Sequence, residues 1–141
     1  MARSLSVRQA GDVAQMNKTR LTLAHLPPSV NAIWRFTKAG KMYRTKEYQT
    51  WANSEGWTVN AQMKNQNCFI GPVFLTIAMR RPNIRSDLDN RLKGIVDLMQ
   101  SLEVIANDKD VMGINAFWSA HLPEGVAAEI TIVQADALEA A

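Results

Sequence analysis

The spacing of hydrophobic and polar positions changes several times along the chain, and each change marks an element. From Thr19, TRLTLAHL alternates as a half-buried strand does, until Pro27-Pro28 stops it, because proline cannot donate to a ladder. NAIWRFTKAGKMYRT mixes apolar and basic residues on two arms around Ala39-Gly40 and predicts a hairpin. Thr45 is a good helix cap, and Tyr48, Trp51, Ala52, Val59 and Met63 follow one face, which predicts a helix to about Lys64. Gly56 lies inside it at a cost of about 1 kcal/mol relative to alanine; Trp51 and Trp57 read as packing residues. NQNCFIGP is a loop. VFLTIAMR is the clearest strand, with Val73, Leu75, Ile77 and Met79 on one face.

Leu88, Leu92, Ile95, Met99 and Leu102 recur at helical spacing, with Ser86 placed to cap the helix and Asp89 in its third position, as in a capping box. GINAFWSAH and VAAEITIV, joined by a Pro123-Glu124-Gly125 turn, predict an antiparallel pair. The expected fold class is α/β: a small mixed β-sheet covered by two helices, in a single domain from 19 to 134. Residues 1–18 show no sustained period and predict a flexible arm; residues 135–141 predict a frayed tail.

Composition adds little that contradicts this. At 141 residues with 47% hydrophobic content the chain can bury a real core. The net charge of +3 is a mild bias toward polyanions. One cysteine rules out an internal disulfide framework, and Cys68 reads as a filler. No apolar run approaches a membrane span, and the N-terminal stretch lacks the apolar region of a secretory signal. The expected location is cytoplasmic. His25 has no partner at metal-ligand spacing and reads as a strand residue, and His121 reads as an ordinary residue at a strand end.

Chemistry concentrates between Arg80 and Asp110. Asp87 and Asp89 are separated by one leucine, Lys93 follows four residues after Asp89, and Asp108 with Asp110 lies beyond the helix. Arg80, Arg81, Arg85 and Arg91 surround the first pair. Carboxylates among arginines suit a divalent ion that must tolerate phosphate: Mg²⁺ takes one or two carboxylates plus phosphate oxygens, and such an ion polarises a phosphodiester and stabilises the leaving oxygen. The plainer reading is that Asp89 complements the helix dipole and pairs with Lys93 as a solvated i,i+4 couple. The hairpin is the most basic part of the chain, with Arg35, Lys38, Lys41, Arg44 and Lys46 interleaved with Trp34, Phe36 and Tyr43. Basic residues there can hold phosphates while aromatics stack on bases.

The run SDLDNRLKGIVDLMQ, followed by VIANDKDV, resembles the signature of the RusA family of Holliday junction resolvases, and LPPSVNAIWRFTKAGKMYRTKEYQTW resembles that family's entry segment. The resemblance spans roughly 20 to 133. It implies a metal-dependent endodeoxyribonuclease that binds branched DNA, a four-way junction, and works as a homodimer. Asp87, Asp89, Lys93 and Asp108 then take the catalytic roles, with Asp87, Asp89 and Asp108 on Mg²⁺ (Mn²⁺ as a substitute). The family often carries two adjacent aspartates at the last site; this chain has Asn107 then Asp108, so Asn107 and Asp110 are alternatives for the remaining position. The dimer interface is expected on the last two strands or the second helix, where large apolar residues occupy both strand faces. Two other functions fit the residues alone: a DNA-binding module without catalysis, and a metal-dependent phosphohydrolase of small phosphates. The second needs an enclosed pocket, and the chain has no Gly-rich phosphate cradle.

Overall fold

Strand β4, Val73–Met79, is apolar at nearly every position and lies between two neighbours. The elements run β1 Lys18–Leu23, β2 Trp34–Phe36, β3 Met42–Arg44, α1 Lys46–Gln62, β4, α2 Asp89–Ser101, a 3₁₀ turn Asp108–Asp110, β5 Val111–Trp118 and β6 Ala128–Gln134. The computed structural model describes residues 18–29, 34–36, 38–40 and 42–135. The expected N-terminal arm up to residue 17, Lys41 and residues 136–141 of the expected tail lie outside them.

The main sheet has four strands in the order β1-β6-β4-β5, and β2 with β3 forms the separate hairpin. β4 runs parallel to β5 and antiparallel to β6. A parallel pair needs a long crossover, and the segment containing α2 supplies it. The expected β5–β6 hairpin is therefore incorrect: Gly125 does make a tight turn at φ 82, but β4 separates the two strands. The crossover seats β5 on one side of β4, and β6 pairs with the other side in the register Leu75↔Ile132 and Ile77↔Ile130. Alternation within each strand carried no information about that choice of partner.

Both helices pack on one face of the sheet. There Leu21, Leu75, Ile77, Ile130 and Ile132 meet Tyr48, Trp51 and Val59 of α1 and Ile95, Leu98 and Met99 of α2. The opposite face leaves Phe74 and Phe117 exposed. Trp57 is 81% exposed, contrary to its expected packing role. Six residues of helix carry it about 240° around the axis from Trp51.

The two sheet edges differ. At β1 the side chain of Gln62 imitates a neighbouring strand: Thr22 N–H donates to its Oε1 at 2.8 Å, and its Nε2 donates to Thr22 O at 2.8 Å. Glu55, 1% exposed, accepts from Ala24 N–H at 2.9 Å and contacts His25 Nδ1 at 3.1 Å, which fastens α1 beside the end of β1. His25 itself lies just beyond β1, not within a strand. On β5, among the described residues, no side chain or strand caps the outer edge, and Met112, Ile114 and Phe117 are exposed along it.

Candidate active site

α2 separates its faces by the 3.6-residue period. Ile95, Leu98 and Met99 enter the core, while Asp89, Lys93, Asp97 and Gln100 fall at i, i+4, i+8 and i+11 along another face. The expected cap is incorrect. The helix begins at Asp89, and Leu88 precedes it in αR geometry with no side-chain cap bond. Ser86 is buried, its N–H donating to Asn83 O at 3.1 Å within the preceding turn. Asp89 consequently sits in the first helical turn, where a carboxylate complements the dipole.

Asp97, which is not among the expected site residues, is the centre of this face. It is 8% exposed, with Lys93 Nζ at 3.0 Å and Arg44 Nη2 at 3.4 Å. The first distance is a charge-assisted hydrogen bond; the second is longer than an ordinary one and acts mainly through charge. Arg44 also lies over the Tyr48 ring, 4.6 Å from its centroid. Burial pushes the Tyr48 phenol above the ordinary tyrosine range, with Arg44 pulling the other way. Its hydroxyl is 3.5 Å from Gly94 O. The i,i+4 spacing of Lys93 and Asp97 was visible in the sequence; the approach of Arg44 from the hairpin had no local signal.

Asp108 reaches the same place from another direction. Phe69 N–H donates to Val104 O and Ala106 N–H to Phe69 O, at 2.8 and 2.9 Å, tying the post-helix segment to the loop before β4. Asp108 N–H then donates to Gln100 Oε1 at 2.8 Å. Asn107 Oδ1 accepts from Lys109 N–H at 2.9 Å, so Asn107 caps the turn that presents Asp108 and Asp110. Arg44, Lys93, Asp97, Gln100, Ser101 and Asp108 line an open depression of about 330 Å³.

Asp87 and Asp89 stand at the other end of the helix. Both are exposed; Asp87 accepts a bond from Asn90 Nδ2 at 3.2 Å, and among the described residues neither forms an ion pair. From Asp89 to Gln100 the axis advances about 16 Å. Among the described residues, no three carboxylate, histidine or cysteine side chains gather closely enough to share a metal ion. The Asp87–Asp89 pair by itself suits Mg²⁺, which binds through one or two carboxylates and leaves its other positions to water and phosphate. Asp108 does not join that pair within one chain.

The arginines divide by what they touch. Arg80 donates through Nη2 to Leu122 O, Pro123 O and Val126 O at 3.1, 2.8 and 3.0 Å, and so holds the β5–β6 connection. Arg81 donates to Ile84 O at 2.8 Å and lies 5.7 Å from the Trp118 ring centroid. Arg91 donates to Pro27 O at 2.6 Å, and its Nε is buried without a partner. These three brace the fold. Arg85, Lys38 and Lys46 are exposed, and Arg35 lies on β2.

The depression is open and lined by charged and polar side chains, which suits a large polar ligand better than a small enclosed one. Residues 25–132 match the family Endodeoxyribonuclease RusA, and the chain belongs to that family. It is 29% identical over 105 residues to the crossover junction endodeoxyribonuclease RusA of Aquifex aeolicus (strain VF5), a match covering 73% of this chain and 82% of that protein. Among the described residues, no helix is long and apolar enough to cross a membrane.

Proposed function

We propose that this chain is a structure-specific endodeoxyribonuclease that resolves four-way DNA junctions by Mg²⁺-dependent phosphodiester hydrolysis. The observation that carries this reading is the family match across 25–132, which includes the whole α2 segment and both of its carboxylate ends. The relative in Aquifex aeolicus bears the name of a crossover junction enzyme, and we extend that substrate to this protein. Asp87 and Asp89 would hold the ion, which supplies charge neutralisation and an activated water when bound. Lys93, half-exposed at the rim of the depression, neutralises charge on the phosphate. Asp108 faces the same depression as a separate carboxylate. Arg44, Arg85, Lys38 and Lys46 supply the sequence-independent hold on the DNA backbone. Among the described residues none is placed as a covalent nucleophile, and direct attack by water is the simpler mechanism in this reading.

The protein acts as a homodimer in this reading, because a four-way junction has approximate two-fold symmetry and needs two opposed cuts, and one chain carries one set of these residues. The open β5 edge supports it. The test is incubation with a synthetic four-way junction and with a linear duplex of the same sequence, with and without Mg²⁺, and with Mn²⁺ in its place. Metal-dependent paired cuts in the junction alone are expected. Binding without cutting in every metal would leave only a DNA-binding module, and equal cutting of the linear duplex would refute junction specificity.

A further inference from the structure

We propose that Asp97 is a positioning residue of the nuclease: it fixes the Lys93 ammonium, and with it the Arg44 guanidinium, at the rim of the depression that Asp108 shares. This rests on the reading of Lys93 as a catalytic group and goes beyond it by naming what holds Lys93 in place. A lysine side chain has a long flexible stem, so an exposed ammonium samples a wide volume unless something fixes it. Here the anchor is a carboxylate 8% exposed, 3.0 Å from Lys93 Nζ, while Lys93 itself remains 49% exposed. The buried partner is thus the immobile one, and the exposed partner keeps donors turned to solvent, since an ammonium has three.

Arg44 approaches the same carboxylate from a different element, 3.4 Å away and stacked over Tyr48. Asp97 therefore joins the basic hairpin to α2. Two cations converge on one buried anion, and both line the depression together with Asp108. A phosphate arriving there meets donors already directed, which is the arrangement that lowers the cost of organising a transition state. A salt bridge of purely structural use would not need both of its cations on the rim of the same depression as Asp108.

The experiment is a double-mutant cycle on junction cleavage with Lys93→Ala, Asp97→Asn and the double variant, each with junction affinity measured without metal and folding checked by circular dichroism. Asp97→Asn is expected to lower kcat about tenfold to a hundredfold, the scale of losses from misplaced catalytic groups. KM and junction affinity should stay unchanged or tighten, because a negative charge near phosphate has been removed. The double variant should cut no more slowly than Lys93→Ala. Normal cutting by Lys93→Ala sinks the catalytic reading of Lys93 itself. Impaired Lys93→Ala beside wild-type kcat in Asp97→Asn overturns the present inference alone, as do losses that multiply in the double variant. Should Asp97→Asn fail to fold, Asp97→Glu, which keeps the charge and moves it by one methylene, is read in its place. A loss in kcat of more than twofold, non-additive with Lys93→Ala, supports positioning, and a rate within twofold of wild type refutes it.

Discussion

At the scale of single residues, Asp87, Asp89 and Asp108 carry the sharpest prediction. Each is changed to asparagine, which keeps shape and removes charge. Asp87→Asn and Asp89→Asn should abolish cleavage with junction binding intact, and Mn²⁺ or raised Mg²⁺ should rescue them partly if they hold the ion. Asp108→Asn should also abolish cleavage without that rescue, since Asp108 stands apart from the pair. Wild-type rates in all three would remove the metal site. The sequence proposes these residues because DxD, the following lysine and the later aspartate are local spacings. Asp97 has no such signal, because its contact with Arg44 spans fifty-three residues. A second prediction concerns Tyr48, whose folded-state pKa is raised by burial. The folded state then favours the protonated phenol. Its contribution to stability is full below the unfolded value of about 10 and is lost as pH rises through the higher folded value. Melting temperatures from pH 9 to 12 should fall along a limb that Tyr48→Phe lacks.

At the scale of elements, the period of each helix and strand was readable and the pairing was not. Val73, Leu75, Ile77 and Met79 announced β4, and all four are buried. That β6 and not β5 follows antiparallel beside them depends on the α2 crossover, a long-range consequence that no local turn encodes. The start of α2 differs from the expected one because Ser86, although a good capping type, has its backbone committed to the turn with Asn83. The helix α1 offers a test. Gly56 lies buried in its middle, and a Cβ added there would meet Leu102 Cδ2 at 3.5 Å, an ordinary contact. Alanine also gains about 1 kcal/mol of helix propensity over glycine. Gly56→Ala should therefore raise the denaturation midpoint by roughly 0.5 to 1 kcal/mol of stability, measured in urea. A loss instead would show that α1 and α2 cannot accept even a methyl group between them.

For the molecule as a whole, the contrast between its two edges bears on the proposed dimer. With Met112, Ile114 and Phe117 exposed along β5, a second copy can pair there about a two-fold axis. Met112→Lys with Phe117→Lys should then yield a monomer near 15.7 kDa by light scattering, with single nicks replacing paired cuts. If the unmodified protein has that mass even with junction DNA present, the dimer is refuted. The Gln62 amide gives this a further meaning. Strand addition propagates only through a subunit that is receptive on both sides, as in fibrils. Here Gln62 of α1 already holds the Thr22 N–H and C=O at the β1 edge, so among the described residues that position is closed to an added strand. In a pair formed at β5, Gln62 would act as a terminator of sheet growth at Thr22, a limit set by no feature of the pairing surface itself. The proposed pairing at β5 would thus be bounded by a glutamine on the far side of the sheet.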